Sequence, residues 1–390
     1  MTRETIPSLT SRVTEKFGQV FATSGFLTVR SPGRVNLIGE HTDYNNGFVL
    51  PAAIDKAICM AVSRRDDDEL RIVSLDLGQS YSGFVGRVVP SGMHWPDYIL
   101  GVIEQLQTMG CETGGFNMVF GGDIPLGAGM SSSAALECAT AFALNELFGL
   151  QLDRLTMVKL SQAAENEFVG MKCGIMDQFA SMFGQKDQVI RLDCQSLTYQ
   201  YFPFRMEGIR IVLLDTRVKH SLVSSQYNIR RQQCETGVRM VQRSHPNVRS
   251  LRDVTSDMLM ENATPADELI VRRCSYVIEE NQRLLAGTED LQRGDLASFG
   301  RRMFGSHDGL SRKYEVSCPE LDFLVDQVRE EPGVIGARMM GGGFGGCTIN
   351  LVKEDAIDGL VQRLGPLYLQ KMNKELRVYV AQIENGTSLV

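Results

Sequence analysis

Two acidic residues in the middle of the chain occupy positions where a carboxylate needs a partner. In the helix predicted over residues 152–169, Glu165 falls on the apolar stripe, and Asp177 is the only charged residue among residues 173–185. Because a lone charge is costly to bury, we expect Glu165 to meet a cation and Asp177 to meet a partner such as an arginine. Both are candidate catalytic groups, and a structural ion pair is the alternative for each.

A second polar group follows a strand-like run near the N-terminus. The segment GRVNLIGEHTDY carries Arg34 within its apolar run, and its end places Glu40, His41 and Asp43 in one short loop. Two carboxylates and an imidazole offer hydrogen-bond acceptors in several directions, which suits the vicinal hydroxyls of a sugar. A metal site, or turn capping around residues 45–47, would use the same groups.

The strongest local signal is the segment PLGAGMSSSAALECATAFAL, in which we call residues 127–133 the phosphate loop. Gly127 and Gly129 permit a tight turn, and residues 131–133 supply hydroxyls and a cap for an alanine-rich, buried helix. The free N–H groups and positive dipole end of such a helix can hold a phosphate. The segment lacks the lysine of a Walker A loop, and Ser132 stands where a dinucleotide fingerprint needs a third glycine. An ordinary loop that caps a core helix is the alternative.

A second glycine-rich segment lies late in the chain. Five of the six residues 341–346 are glycines, between strand-like runs within residues 334–352. So many glycines in a hairpin connection predict backbone that runs close to another backbone or to a ligand. A merely flexible tip is the alternative.

Charge and cysteine content narrow the class of protein. The net charge of -7 argues against nucleic-acid or acidic-membrane binding by bulk electrostatics, so an anionic ligand must be held by local geometry. The nine cysteines form no C-x-x-C pair, which indicates a reducing compartment, with the cytoplasm as the expected location. No stretch is apolar for the ~18 residues that a membrane span needs.

The wider pattern predicts the elements that position these residues. Strand-like runs fill residues 26–62, with a hairpin turn at residues 45–47, and another strand is predicted over residues 209–216. The predicted helices cover residues 8–21, 97–109, 132–147, 152–169, 225–243, 267–285 and 298–310. We therefore expect a mixed α and β protein with two domains, residues 1–205 and 206–390.

The motifs together resemble one family, the small-molecule kinases named for galactokinase, homoserine kinase, mevalonate kinase and phosphomevalonate kinase. PLGAGMSSSAA and MGGGFGGC are similar to shared motifs of this GHMP family. GRVNLIGEHTDY, CGIMDQF and SSQYNIRR resemble segments of its galactokinase branch, and the resemblance covers nearly the whole chain in the expected order. It implies an α+β fold with an S5-like N-terminal domain, a ferredoxin-like C-terminal domain and the active site in the cleft between them.

The resemblance also implies a reaction, the transfer of the γ-phosphoryl group of ATP to the C1 hydroxyl of α-D-galactose with the help of Mg²⁺. The residues implied to wrap the ATP phosphates are Gly127, Ala128, Gly129, Met130, Ser131, Ser132 and Ser133. The implied Mg²⁺ ligands are Ser133 and Glu165. The residues implied to hold the sugar are Glu40, His41, Thr42, Asp43, Gly174 and Tyr227. Asp177 is implied as the general base, with Arg34 as its charged partner.

Three other functions use the same features. A kinase for N-acetylgalactosamine, arabinose or another sugar would differ only in pocket shape, and a sensor of galactose and ATP would bind without turnover. The intact Ser-Ser-Ser-Ala-Ala run at residues 131–135 favours the enzyme. A non-catalytic nucleotide-binding module leaves the Glu40, His41 and Asp43 group unexplained. We expect a monomer that acts on small molecules, with neither nucleic acid nor membrane as a partner.

Overall fold

The computed structural model describes residues 8–23, 25–125, 127–204, 207–218 and 223–390. The helices are α1 (Leu9–Phe21), α2 (Trp95–Thr108), α3 (Ser132–Phe148), α4 (Arg154–Ala163), α5 (Met176–Phe183), α6 (Val223–Gln242), α7 (Ser256–Glu261), α8 (Glu268–Gln292), α9 (Leu296–Gly309), α10 (Pro319–Val328) and α11 (Ile357–Met372). The strands are β1 (Leu27–Asn36), β2 (Phe48–Val49), β3 (Pro51–Arg64), β4 (Glu69–Ser74), β5 (Gln79–Phe84), β6 (Phe116–Gly122), β7 (Gln188–Asp193), β8 (Tyr199–Pro203), β9 (Ile209–Asp215), β10 (Val334–Met339), β11 (Cys347–Lys353), β12 (Arg377–Ala381) and β13 (Ser388–Leu389). Among these helices, none is long and apolar enough to cross a membrane.

A six-stranded sheet organises the N-terminal half. Its strand order is β13-β1-β3-β6-β4-β5, and the β4–β6 pair is parallel while the other pairs are antiparallel. Helix α1 packs on β3 and β6, and α3 packs on β1 and β3 and is surrounded by α2, α4 and α5. Because alanine is small, α3 can be buried on nearly every face, so the position of its N-terminus is fixed by the core.

A four-stranded antiparallel sheet, in the order β10-β11-β9-β12, organises the C-terminal half. Strand β9 alternates between its two faces, as a strand buried on both sides must. Val212 and Leu214 pack in the cluster that includes α10 and α11, whereas Ile211 and Leu213 join the large core shared with the N-terminal half. The mixed helix and sheet content confirms the predicted α+β class.

The end of the chain returns to the first sheet. Strand β13 pairs with β1, with Leu389 opposite Val29, and the hydroxyls of Thr387 and Ser31 are 2.8 Å apart. Residues of the C-terminal half therefore complete the N-terminal sheet.

Most predicted elements are confirmed, with shifted ends, but the hairpin turn at residues 45–47 is wrong. Strand β1 does pair with β3, yet the connection spans residues 37–50, because Asn36 lies opposite Pro51. Asn46 has a left-handed backbone after a short 3₁₀ turn, Asp43–Asn45. Residues 45–47 therefore do form a turn, but this turn lies inside the long connection and does not join β1 directly to β3. The predicted domain boundary at residues 205 and 206 lies outside the described residues and stays a prediction.

One buried arginine, Arg338, joins the two halves of the protein next to the connection between β1 and β3. Arg338, at 0% exposure, donates from Nε to the Leu37 carbonyl over 2.7 Å and from Nη1 to the Met339 carbonyl over 2.6 Å. Its Nη2 donates to the Asn36 carbonyl and, over 2.9 Å, to Oε1 of Glu40. The guanidinium thus attaches the end of β1 to β10.

Replacement of Arg338 by methionine should be strongly destabilising. The Arg338→Met variant leaves Glu40 buried without its partner, and we expect a loss of about 3–5 kcal/mol in the free energy of unfolding, measured in urea. Arg363→Met is the control, because Arg363 pairs with Glu331 at the surface and should cost within about 1 kcal/mol. Equal losses in the two variants would contradict this role of Arg338.

Candidate active site

The largest group of predicted site residues meets in one cavity between the two halves. The cavity holds about 520 Å³ and is lined from both sides, by the phosphate loop, the start of α5, α6 and the glycine-rich hairpin loop between β10 and β11. Its described lining includes four carboxylic acids, one histidine and one arginine. A bound anion must therefore rely on backbone groups as well as on side-chain charge.

Arg34 and Asp177 form the ion pair of this cavity. Nε and Nη2 of Arg34 donate to Oδ1 and Oδ2 of Asp177, each over 2.7 Å, so the predicted arginine partner of Asp177 is confirmed. A β-bulge shifts the pairing of β1 with β3 between Pro32 and Arg34, and Arg34 itself lies opposite Ala53 of β3. At Gly33 a Cβ atom would lie 2.6 Å from the Met130 carbonyl oxygen, so only glycine allows the phosphate loop to approach this closely.

The N-terminus of α3 is open toward the cavity. Ser131 precedes the helix, but its hydroxyl donates to Asp177, and no side chain caps the helix. The helix cap predicted from residues 131–133 is therefore wrong, because Ser131 is the N-cap residue and its side chain makes no capping bond. Among the described residues, the N–H groups of residues 132–134 have no hydrogen-bond partner, so they can bind an anion. Arg34 also donates from Nη1 to the Gly129 carbonyl over 2.5 Å, which attaches the phosphate loop to the ion pair.

The glycine-rich hairpin loop packs against the phosphate loop. Gly341 and Gly343 have φ values of +83° and +81°, and a Cβ on Gly343 would collide with the Val316 carbonyl oxygen. A Cβ on Gly341 would lie 3.6 Å from the Gly129 carbonyl oxygen. The predicted close approach to another backbone is confirmed at Val316 and Val218, and the loop is in van der Waals contact with the phosphate loop at Gly129.

Most of the residues predicted to bind hydroxyls line the same cavity. Glu40, His41 and Asp43 line it with Tyr227 of α6, and the rings of His41 and Tyr227 are 5.3 Å apart. Gly174 also lines the cavity, and a Cβ at this position would collide with the Asp43 carboxyl group. The absence of a side chain at Gly174 thus leaves room for Asp43.

Burial sets the protonation of His41 and Asp43. Burial lowers the pKa of His41 to about 4, so the imidazole is neutral at pH 7, and its Nδ1 lies 2.8 Å from the Tyr44 hydroxyl. Tyr44 continues to Tyr314, with 2.7 Å between the hydroxyls. Burial, and then the charge of Asp177, raise the pKa of Asp43 to about 7. Asp43 therefore changes its charge near neutral pH.

Glu40 is held as an anion by contacts behind the cavity. Its Oε1 accepts from Arg338 over 2.9 Å and from the Gly341 N–H over 2.7 Å. Burial alone would raise the pKa of Glu40, but the charges of Arg338 and Arg34 outweigh it and lower the pKa. Oε1 of Glu40 is thus occupied by hydrogen bonds within the protein.

Glu165 lies where α4 continues as a π-helical turn, Ala164–Val169. Its Oε2 accepts from Nε2 of Gln178 over 2.8 Å and from Sγ of Cys173 over 3.4 Å, and the nearby Ser133 hydroxyl acts to lower the pKa of this carboxyl group. Burial and then the nearby Asp177 raise the pKa of Glu165 to about 6. Within the described part of the chain, Glu165 forms no ion pair with a lysine or arginine, although it lines the cavity.

A second carboxyl group lies behind Glu165. Glu137 of α3 is 0% exposed, and its Oε2 accepts from Nε2 of Gln178 over 3.1 Å. Burial and then the nearby Glu165 raise the pKa of Glu137 well above its usual range, which favours the neutral form of this group.

Two predicted residues lie behind the cavity wall. The Thr42 hydroxyl donates to the backbone carbonyls of Gly39 and Phe48, and Ala128 is fully buried. Both shape the loops that carry their neighbours, and neither is among the lining residues.

The sequence analysis missed several residues of this site. Arg338, Glu137 and Gln178 contact site residues. Arg338 and Glu137 each stand in an apolar run, and Gln178 follows Asp177 in another. A lone polar residue in a buried element was the signal that could have found them. The lining residues not predicted include Pro125, Met171, Cys173, Met176, Val218, Met340 and Phe344.

Comparison with known proteins agrees with this geometry. The family model of the GHMP kinases N terminal domain matches residues 97–185, and that of the GHMP kinases C terminal domain matches residues 288–367. A crystal structure of a mevalonate kinase superposes with a TM-score of 0.62 at 20% identity, over 92% of this chain and 99% of that one. The fold is that of the GHMP small-molecule kinases, as the sequence motifs implied.

The galactokinase galactose-binding signature matches residues 15–64. A galactokinase of Roseiflexus sp. (strain RS-1) is 40% identical over 381 residues, 98% of this chain and 97% of that protein. A galactokinase of Thermotoga neapolitana is 40% identical over 93% of this chain and 100% of its own. The crystal structure of Lactococcus lactis galactokinase complexed with galactose superposes with a TM-score of 0.94 at 35% identity, over 98% of this chain and 100% of that one. The chain belongs to the galactokinase family.

Proposed function

We propose that the cavity transfers the γ-phosphoryl group of ATP to the C1 hydroxyl of α-D-galactose, giving α-D-galactose 1-phosphate and ADP. As a galactokinase, the protein is an ATP-dependent sugar kinase. The observation that carries the detailed proposal is the Arg34–Asp177 pair. It lies between the open N-terminus of α3 and the loop that carries Glu40, His41 and Asp43.

The phosphate loop binds the ATP phosphates in this proposal. The backbone from Gly127 to Ser133 supplies N–H groups, and the positive end of the α3 dipole favours the anion. The glycine-rich hairpin loop supports the phosphate loop from the other side. Since these donors are fixed in the core, they need no reorganisation when phosphate charge shifts during transfer.

Ser133 and Glu165 are the residues that would hold Mg²⁺. Glu165 is a carboxylate at 4% exposure with no cationic side chain paired to it among the described residues, and the Ser133 hydroxyl lies beside it. Oxygen donors of this kind suit Mg²⁺, which keeps waters and phosphate oxygens as its other ligands. When bound, the ion neutralises charge on the β- and γ-phosphate oxygens.

The sugar lies at the opposite end of the cavity. Glu40 and Asp43 accept hydrogen bonds from its hydroxyls, neutral His41 offers one donor or acceptor, and the Tyr227 ring packs beside them. This places the C1 hydroxyl toward Asp177.

Asp177 orients the C1 hydroxyl and accepts its proton as the oxygen attacks the γ-phosphorus. The oxygen–phosphorus bond forms while the bond from the γ-phosphorus to the ADP oxygen breaks, and ADP leaves with the electron pair. Arg34 holds both oxygens of Asp177 and stabilises the transferring phosphoryl group.

The expected location is the cytoplasm, which the nine free cysteines support. We expect a monomer to be active, because one chain supplies both walls of the cavity.

A substrate panel tests the proposed reaction. We expect ADP release with Mg²⁺-ATP and galactose, measured by a coupled assay, to exceed release with N-acetylgalactosamine, arabinose, glucose, mevalonate or homoserine. Absence of turnover with galactose would contradict the proposal. Galactose binding without turnover would instead indicate a sensor.

Asp177→Asn tests the role of the carboxylate. The amide keeps the shape of the side chain but cannot accept the proton, so turnover should fall by about 10²–10⁴-fold while binding of an ATP analogue stays measurable. Asp326→Asn, at an exposed position of α10, is the control and should leave turnover unchanged. Near-normal turnover of Asp177→Asn would exclude proton transfer to Asp177.

The raised pKa of Asp43 predicts pH-dependent sugar binding. Ionised Asp43 is the better acceptor, so galactose should bind more tightly as pH rises from 6 to 8 through the pKa of about 7. His41, with a pKa of about 4, does not titrate in this range. Calorimetry without nucleotide should show that galactose affinity rises with pH in the wild type and that this dependence is lost in Asp43→Asn. If the variant kept the same pH dependence of galactose affinity, a group other than Asp43 would be responsible for it.

A further inference from the structure

A buried amide joins two carboxyl groups behind the proposed metal site. Nε2 of Gln178 donates to Oε2 of Glu165 over 2.8 Å and to Oε2 of Glu137 over 3.1 Å. Gln178 and Glu137 are both 0% exposed, and Glu165 is 4% exposed. The cavity wall thus continues inward as a chain of three polar side chains from three different elements, the π-helical turn, α5 and α3.

Packing would have to explain why these three polar side chains are buried together. In the described part of the chain, neither Glu137 nor Glu165 pairs with a lysine or arginine, and Oε1 of Glu137 and Oε1 of Gln178 have no hydrogen-bond partner. Buried polar groups without hydrogen-bond partners destabilise a fold. An apolar pair at residues 137 and 178 would avoid this cost, so packing alone does not explain the arrangement.

The bridge does give Glu165 a fixed orientation. The bonds from Gln178 and Cys173 both reach Oε2, so one oxygen of Glu165 is held by the protein. Gln178 itself is held by Glu137 and by its place next to Asp177 in α5. Partners of this kind, one step behind a metal ligand, commonly change metal affinity by about 10–100-fold when removed.

We propose that Glu137 is a positioning residue, which acts through Gln178 to hold Glu165 in the orientation that binds the Mg²⁺ of the nucleotide. The inference rests on the proposed function, in which Glu165 is a Mg²⁺ ligand. Glu137 is not among the residues that line the cavity, and the Gln178 amide connects its carboxyl group to that of Glu165. The same bridge links α3, whose N-terminus holds phosphate, to α5, which carries Asp177.

Nucleotide binding with and without metal tests this role. A non-hydrolysable ATP analogue is titrated by calorimetry into the full-length protein in EDTA and then at a series of Mg²⁺ concentrations. In Glu137→Met we expect the apparent Mg²⁺ affinity to fall about 10–100-fold, while analogue binding in EDTA stays within threefold of the wild type. Gln178→Asn, whose shorter side chain cannot reach both carboxyl groups, should show the same loss.

Two further variants separate positioning from structural damage. Glu137→Gln keeps an acceptor for Gln178 and should retain the Mg²⁺ affinity within threefold. Thr140→Val removes another fully buried polar group of α3, whose hydroxyl bonds only the Leu136 carbonyl, and should leave the Mg²⁺ affinity unchanged. Thermal unfolding checks that each variant is folded. If Glu137→Met does not fold, the Mg²⁺ affinity of Gln178→Asn tests the inference in its place.

The outcomes are distinct. Retained Mg²⁺ affinity in Gln178→Asn or folded Glu137→Met would overturn the inference, as would an equal loss of analogue binding with and without the metal. A loss in Glu137→Gln as large as in Glu137→Met would also overturn it. If the wild type gains no affinity from Mg²⁺, the proposed metal site itself fails, which separates that failure from a failure of the bridge.

Discussion

The buried guanidinium of Arg338 is the contact on which the cleft depends. It lies where the end of β1 meets β10, bonds backbone carbonyls on both sides and pairs with Glu40. Glu40 in turn accepts from Gly341, the first glycine of the hairpin loop. A single charge therefore fixes the loop of His41 and Asp43 relative to the loop that supports the phosphate end. Because it is fully buried, its partners must stay in place for the fold to tolerate it.

The small number of cationic side chains in the cavity determines how the site can hold negatively charged ligands. The described lining has four carboxylic acids and one arginine, and that arginine is taken by Asp177. Negative ligands must then be held by backbone N–H groups at the start of α3 and, in the proposed function, by a metal ion at Glu165. Ser131 contributes by leaving the helix end open, since its hydroxyl bonds Asp177 instead. This is how a chain with a net charge of -7 can hold a polyanion.

The sequence patterns predicted the elements better than their connections. The helical periods of α1 and α9 and the continuous apolar runs of α3, β9, β10 and β11 were readable, because buried positions of an element carry apolar residues. The turn at residues 45–47 was misread as a hairpin, because turn residues report local backbone shape and not which strands pair. The return of β13 to the first sheet had no local signal, since two residues carry no periodicity.

For the site, the sequence alone determined the chemistry, and the tertiary structure decided the partners. Residue type and spacing identified the phosphate loop, the Glu40–Asp43 loop, Asp177 and Glu165, because lone charges in apolar runs and clustered glycines are visible locally. Only the fold showed that Glu40 belongs to Arg338, 298 residues away, and that Gln178 joins Glu165 to Glu137. Hydrogen bonds between distant segments depend on how the elements pack, and a linear pattern holds no record of that packing.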